Sequence, residues 1–469
     1  PTKGALFGTA LVFVGMLFFV SVFSVLMEKF LCNAQIIFPE DLKFAIIRYC
    51  AGHKHRLERT TMDFSILANS LWVAISAMLV LLMNFGLAFF YTGLVSGRNA
   101  LNTIKMSIIT LGIVPIVWWL VGYSLVFSGT GSWLGNFNLA FLNPIHTNDI
   151  VEGTKVLTIS FVCFQAMFAS IAPAIISGSG VERLRFRAYL IFIVLWVILV
   201  YCTLAHTVWN SNGWAFKFGA FDFAGGVVVH VSAGFSGLAL AMALRPRKGE
   251  HALHGGKHNL PLMVLGCGLL WFGWFGFNAG SALEISSLAI QAIANTLFAT
   301  ASAMVVWIIC DSLGHRAHTV TGICNALIIG LVAITPSAGY VNIAAAVTIG
   351  AIASFLSYFL IIYYNRIKHK VDDSLDVFTC HGVPGFLGGI MVGIFSSHEV
   401  NPAIPDGLIY GQWSLLYKQI IVTCLAALFS FCATYLILIL LHKIIGIRVR
   451  EEEELGGLDL SEHGEKAYN

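Results

Sequence analysis

Apolar runs recur along the whole chain, and each is about 20 residues long, enough to cross the hydrocarbon core of a bilayer. Strands of a membrane barrel would be shorter and would alternate in polarity. Because 58% of residues are hydrophobic and only 11% are charged, the sequence predicts an all-α polytopic membrane protein. The predicted spans are 6–27, 67–91, 107–127, 154–178, 188–209, 223–244, 261–281, 287–310, 318–336, 342–364, 374–397 and 415–441.

Lysine and arginine collect on one side of these spans. Beyond residue 66, seventeen lie in connections on that side, and only Lys155, Lys217 and Lys418 lie on the other. Since basic loops tend to stay in the cytoplasm, this side and the C-terminal tail are predicted to be cytoplasmic. The seventeen are Arg98, Lys105, Arg183, Arg185, Arg187, Arg245, Arg247, Lys248, Lys257, Arg316, Arg366, Lys368, Lys370, Lys443, Arg448, Arg450 and Lys466.

Two apolar runs each carry a histidine, His230 and His381, followed in both cases by x-x-x-Gly-Phe-x-Gly. Ionisable residues inside a membrane are costly and indicate function by default. Each histidine lies about eight residues from the start of its span, and the two spans start on opposite sides of the membrane. Both histidines are therefore predicted to lie near the midplane. A lone buried histidine is a hydrogen-bonded core residue about as often as it is a functional residue. Two histidines with the same pattern of following residues favour a functional pair. A catalytic Cys380–His381 pair is disfavoured because adjacent helix residues point about 100° apart.

The two histidines fall in separate halves of the chain. Residues 67–244 and 261–397 contain five predicted spans each, and an odd number of spans reverses the direction of a repeat. The sequence therefore predicts two inverted five-helix repeats joined by a cytoplasmic loop at 245–260. A last membrane helix at 415–441 and a cytoplasmic tail at 442–469 follow.

Longer motifs surround the histidines, and with them residues 66–469 resemble the ammonium transporter (Amt/Mep/Rh) family, the Amt branch closely. The motifs are Asp222-Phe-Ala-Gly-Gly-x-Val-Val-His230, Trp274-Phe-Gly-Phe277-Asn278-Ala-Gly-Ser281, Asp372-Asp-x-x-Asp376-Val-Phe-x-x-His381 and Gly457-Leu-Asp-Leu-Ser461-Glu-His-Gly464. The resemblance implies eleven spans per subunit, an outer N-terminus, a homotrimer in the plasma membrane and one narrow pore in each subunit.

The resemblance also implies roles for individual residues. His230 and His381 are similar to the family's twin pore histidines, and Phe168 and Phe277 to the phenyl gate above them. The outer site that recruits ammonium would consist of Trp209, Ser281 and, again, Phe168. Ammonium and potassium are similar in size, and aromatic faces attract either cation. Only ammonium donates hydrogen bonds to a hydroxyl and can shed a proton.

Other residues have blander interpretations. Asp222 is expected to cap its helix rather than bind the cation. Asp376 and Asn278 are expected to be structural, Asn278 through a bond between helices. Outside the family pattern, Trp209 would be an interfacial anchor. Pro384 departs from the family and is expected to kink or break its helix.

The two ends of the chain carry separate predictions. Residues 1–66 fall outside the resemblance, and 6–27 is predicted to be a retained extra N-terminal membrane helix packed outside the family core. In the tail, Ser461 is predicted to be a regulatory site whose phosphorylation dislodges the tail. The family's tail touches the neighbouring subunit, so the tail is expected to couple the three pores.

The sequence thus predicts an ammonium transporter or channel that conducts ammonia, with or without the proton. The alternative is an ammonium sensor that uses the same outer site, and a membrane enzyme is a distant third. Expected partners are ammonium or ammonia, membrane lipid, two further copies of the chain and a cytoplasmic regulatory protein. No nucleic acid or cofactor is expected. A metal site is not expected either, because the cluster His251, His254 and His258 has no acidic or thiol partner beside it.

Overall fold

Eleven helices long and apolar enough to cross a membrane are found in the computed structural model, which describes residues 40–248, 257–367 and 370–468, with side chains from residue 64 onward. They are α1 (Phe64–Leu94, within the helix Glu40–Leu94), α2 (Gly97–Phe127), α3 (Thr158–Gly180), α4 (Phe186–Phe218), α5 (Gly226–Leu244), α6 (Leu260–Gly280), α7 (Ser287–Leu313), α8 (Val320–Ser337), α9 (Ile343–Arg366), α10 (Phe378–Phe395) and α11 (Ser414–Ile445). The tail adds α12 (Glu451–Gly456) and α13 (Leu458–His463). The all-α membrane fold is confirmed, while the predicted span 6–27 lies outside the described residues.

Helix α2 begins ten residues before the predicted span 107–127. Its first turns contain polar residues, so hydropathy alone does not assign them to the span. Nevertheless Asn99, Asn102 and Thr103 are buried there. Buried polar groups need hydrogen-bond partners, and the tail supplies several of them, as described below.

Helices α5 and α10 lie at the centre of the unit formed by residues 66–469. Helix α5 packs against α3 and α11, and α10 packs against α8 and α11. Both start with a π turn, Gly226–Val231 in α5 and Phe378–Gly382 in α10. Such wide turns are frequent at functional sites. The division into two inverted repeats stays a prediction, to which these matching helix starts lend support.

Pro384 lies two residues after the end of the π turn of α10, in the first turn of the α-helical segment Val383–Phe395. Proline has no N–H to donate, and the first turn of an α-helix is where that loss is tolerated. Phe378–Phe395 remains one helix through Pro384, so the break expected there does not occur. The change from π to α geometry beside it is also present in α5, which has no proline at that point.

The tail lies against the ends of α2 and α4, on the side that we call the tail face. Both carboxylate oxygens of Asp459 accept backbone N–H groups at the start of α2, from Leu101 at 3.0 Å and from Asn102 at 2.8 Å. The His463 ring lies 2.9 Å from the Asn102 amide and 3.2 Å from Lys105 Nζ. These contacts join residues more than 350 positions apart.

Arg183 lies behind this face with its side chain fully buried. Its guanidinium donates to the carbonyl of Asp372 at 2.5 Å and to Ser374 Oγ at 2.5 Å. The Asp372 carboxylate accepts from Arg247 through both oxygens, at 2.7 and 3.0 Å. Burial raises the pKa of Asp372, but the charges of Arg183 and Arg247 outweigh this effect and lower the pKa to about 2. Arg183, interpreted from the sequence as a topology determinant, thus also joins α3 to the approach to α10.

Candidate functional site

The segment directly before α5 fixes the start of the helix that carries His230. Asp222 is buried in that approach, and its carboxylate accepts four successive backbone N–H groups of residues 225–228, at 2.7–3.1 Å. Burial raises the pKa of Asp222 to about 6, and the four N–H donors oppose that rise. This geometry is that of a helix cap, the role predicted for Asp222.

Asp373 occupies the equivalent place before α10. It lies eight residues ahead of His381, as Asp222 lies eight ahead of His230. Its carboxylate accepts the N–H of Phe378 at 2.7 Å. Asp376, expected to be structural, has a positive φ of 57° in the approach to α10. Sequence reasoning missed Asp373, although the equal spacing to the two histidines pointed to it.

Two glycines allow the histidine segments to cross closely. A Cβ placed on Gly234 would lie only 2.1 Å from the backbone nitrogen of Gly382 and 2.2 Å from its Cα. On the same surface, a Cβ on Gly385 would lie 3.1 Å from the Cβ of His230. The repeated His-x-x-x-Gly spacing therefore has a physical reason: each histidine segment needs a surface without side chains for its partner.

His230 and His381 meet at this crossing although they enter from opposite faces. Their Nδ1 atoms are 3.3 Å apart, and the side chains are buried, with 0% and 4% exposure. One hydrogen bond between two Nδ1 atoms requires that one ring donates and the other accepts. Nε2 of His230 has no hydrogen-bond partner among the described residues. The ring of His230 stacks on Trp274 with centroids 5.0 Å apart.

Two phenyl rings lie next to the histidine pair. Phe168 and Phe277 are stacked face to face, with centroids 4.0 Å apart and an interplanar angle of 11°. The Phe277 ring lies 5.7 Å from the His230 ring. Phe164 packs edge-on against Phe168 at 4.7 Å. Both stacked rings are almost fully buried, with 1% exposure for Phe168 and 0% for Phe277.

The residues predicted for the outer site are linked through these rings. Trp209 approaches Phe168 edge-on at 6.2 Å, and its Nε1 donates to the carbonyl of Asp222 at 3.0 Å. Ser281 follows Phe277 by one helical turn, and its hydroxyl donates to the Phe277 carbonyl at 2.9 Å. Because its hydrogen is used in this way, the lone pairs of Ser281 Oγ remain as acceptors.

A narrow apolar cavity lies on the other side of the histidine pair, where His381 and Trp274 form part of its wall. The remaining lining is hydrophobic: Met83, Leu87, Phe90, Ile171, Ile175, Leu270 and Ile328. Stacked phenyl rings, paired imidazoles and this cavity therefore follow one another through the centre of the bundle.

The other predicted residues lie away from this line. Asn278 Nδ2 donates to Thr296 Oγ1 at 2.9 Å and so joins α6 to α7. Ser461 is exposed in α13, where its hydroxyl donates to the Gly457 carbonyl at 2.9 Å. His258 contacts the Val95 carbonyl and the Tyr468 hydroxyl, each at 2.9 Å.

Eleven apolar helices around buried imidazole and phenyl pairs define a polytopic membrane protein of the transporter class. The model of the Ammonium Transporter Family matches residues 71–468. The chain belongs to this family, which is a family of transporters rather than enzymes.

Curated relatives and solved structures agree with this assignment. The chain is 42% identical to an ammonium transporter of Bacillus subtilis over 86% of its own length and 98% of the relative. It is 38% identical to the ammonium transporter Amt1 of Archaeoglobus fulgidus, over 85% and 99%. Among solved structures, Mep2 of Candida albicans matches with a TM-score of 0.78 and 33% identity, over 86% of this chain and 90% of that one. A structure described as a sensor Amt protein matches with a TM-score of 0.78 and 31% identity, over 86% and 99%.

Proposed function

We propose that this protein transports ammonium across a membrane, taking it up at an outer aromatic site and conducting it past the histidine pair. The observation that carries the proposal is the direct succession of the Phe168–Phe277 stack and the His230–His381 pair. The stack is 4.0 Å from ring to ring, and the pair 3.3 Å from nitrogen to nitrogen. Family membership supports ammonium as the substrate.

The outer site would select ammonium by combining two interactions. Aromatic faces such as Trp209 attract a cation by about 0.5–2 kcal/mol. The lone pairs of Ser281 Oγ add a hydrogen bond that ammonium can make and potassium cannot. Phe168 and Phe277 then exclude water and hydrated ions, because their stacked faces leave no space between them.

The histidine pair would take up the proton that ammonium gives up. A bare cation in the dry section would cost at least several kcal/mol, which loss of the proton avoids. With two neutral rings, one Nδ1–H bridges the pair, so one Nε2 is an acceptor and the other a donor. A proton that arrives at the accepting Nε2 can leave from the other ring after the bridge reverses. Potassium has no proton to surrender and is rejected here.

Uptake of methylammonium into proteoliposomes that contain only this protein tests the proposal, with current recorded on the same samples. The double substitution His230→Ala with His381→Ala is expected to abolish selective conduction. His146→Ala, an exposed histidine whose ring makes no bond with the described residues, is the matched control and should behave as wild type. A double variant that carries ammonium at the wild-type rate and still excludes potassium would refute the role of the pair.

A sensor that uses the same outer site is the second candidate, favoured by the likeness to the structure described as a sensor Amt protein. The same uptake measurement separates the two functions. A sensor would bind ammonium at the Trp209 site, seen as a change in tryptophan fluorescence that Trp209→Leu removes, and would carry no flux.

The setting of the site follows from charge and family. We propose that the protein is a homotrimer in the plasma membrane and that its tail face lies in the cytoplasm. A regulatory protein would bind the tail there. Phosphate on Ser461 would add nearly two negative charges close to Asp459 and Glu462, and like-charge repulsion would weaken tail docking. Docking of the tail against α2 and α4 is the route by which such a signal would reach the pore.

A further inference from the structure

A pocket of about 820 Å³ opens at the tail face between the ends of α5 and α11. One part of its wall is apolar and belongs to the two membrane helices, through Met242, Tyr435 and Ile439. The rim is basic and consists of Arg245, directly after α5, and of His442 and Lys443 in the last turn of α11. Apolar and cationic surfaces therefore meet at the level where two spans leave the bilayer.

The basic rim has no anionic partner among the residues whose side chains the structure describes. Arg245, His442 and Lys443 are exposed, and their side chains form no ion pair or hydrogen bond with the described residues. The carboxylate of Glu454, which also lines the pocket, is already occupied by Arg448, with bonds of 3.0 and 2.9 Å. Glu451, the other acidic residue of the lining, lies 3.6 Å from Lys248 Nζ, so neither carboxylate pairs with the rim.

The helix ends do not neutralise it either. A helix C-terminus carries a partial negative charge, which could offset nearby cations. Here other arginines take those carbonyls: Arg448 donates to the carbonyl of Leu244 at 2.6 Å, and Arg185 to that of Ile445 at 2.8 Å. Among the described residues, the positive charge of Arg245 and Lys443 is thus left without a compensating partner.

We propose that this pocket binds the phosphate of an anionic phospholipid from the leaflet at the tail face. Arg245 and Lys443 hold the phosphate, and an acyl chain lies along Met242 and Ile439. A soluble phosphate would use the rim but would leave the apolar wall exposed to water. The pocket opens where a lipid phosphate lies, at the boundary between apolar helices and polar tail, and this favours the lipid as the source of the anion.

Binding of dioctanoyl phosphatidylglycerol to the full chain, purified in detergent and measured by native mass spectrometry, tests this inference. Dioctanoyl phosphatidylcholine tests the need for net negative charge, and glycerol phosphate and inorganic phosphate represent soluble sources. The test variant is Arg245→Gln with Lys443→Gln. The matched control is Arg316→Gln with Lys370→Gln, which removes two exposed charges that do not line the pocket.

At about 1 kcal/mol for each basic residue near an anionic lipid, removal of both rim charges is expected to weaken phosphatidylglycerol binding about 30-fold. The control should bind as wild type does, and all variants should keep the wild-type elution profile. Equal binding of phosphatidylglycerol and phosphatidylcholine, or wild-type affinity in the rim variant, would overturn the proposal. Binding of inorganic phosphate as tight as that of the lipid would overturn the lipid assignment and indicate a site for a free anion.

Discussion

Substitution of Gly234 by alanine should separate the two histidines without touching either ring. The new Cβ would lie 2.1 Å from the backbone nitrogen of Gly382, whereas ordinary contact begins at 3.4 Å. The segments must therefore move apart by about 1.3 Å, the difference between these two distances. If only half of this movement falls along the line between the rings, the Nδ1–Nδ1 distance grows from 3.3 Å to about 4.0 Å, beyond hydrogen-bond reach.

Loss of a buried hydrogen bond costs about 1–3 kcal/mol, which corresponds to roughly a 5- to 150-fold reduction in a rate that depends on it. We expect Gly234→Ala to slow methylammonium uptake within that range. The extra methyl group should also destabilise the protein by about 1–3 kcal/mol, because backbone atoms and not flexible side chains face it. Uptake is measured in proteoliposomes, and stability by thermal unfolding in detergent.

Gly268→Ala is the matched control, since a Cβ at Gly268 in α6 meets nothing within 4 Å. It should keep the wild-type uptake rate and unfold no earlier than wild type. If Gly234→Ala folds and takes up methylammonium at the wild-type rate, the close crossing is not needed for conduction. If both variants lose activity equally, the loss does not come from the contact with Gly382.

Three further predictions concern the tail face. Arg183→Met should destabilise the protein by about 3–5 kcal/mol, because it leaves buried acceptors unpaired, whereas the exposed Arg187→Gln should leave the unfolding temperature unchanged. Burial, and then the charge of Lys105, lower the pKa of His463 from 6.5. The contribution of His463 to tail docking is therefore present above about pH 6.5 and is lost as the pH falls through the folded-state pKa. Protease cleavage of the tail should speed up on acidification, and His463→Gln should remove this pH dependence. Ser461→Asp should expose the tail to the same protease at neutral pH, and Ser461→Ala should not.

The spacing of residues indicated a pair of buried histidines, and the structure buries both rings with their Nδ1 atoms 3.3 Å apart. The frame shared by His230 and His381 indicated two segments that enter from opposite sides, and the two rings do meet. The stacked Phe168–Phe277 pair was predicted only through resemblance, since nothing in its local pattern distinguishes it from core aromatics.

What the sequence could not predict depends on contacts between distant segments. Hydropathy placed the start of α2 ten residues late, because Asn99 and Asn102 look like loop residues until the tail supplies their partners. Arg183 was interpreted from the sequence only as a topology determinant, and the fold shows the carbonyl and hydroxyl groups that surround it. The capping role of Asp373 was hidden among three aspartates in one short stretch.

The bonds from Asp459 to the start of α2 have a consequence for how the chain is made. Leu101 and Asn102 leave the ribosome 358 and 357 residues before the carboxylate that accepts their N–H groups. At 5–20 residues per second, that interval is roughly 18–70 s. Until it ends, the first α-helical turn of α2, which starts at Ala100, must rely on water or on lipid headgroups for its unpaired donors. Closure of this end of the molecule is thus a late event of biogenesis, and a chain that stops before residue 459 carries an open helix terminus that quality-control proteases could recognise.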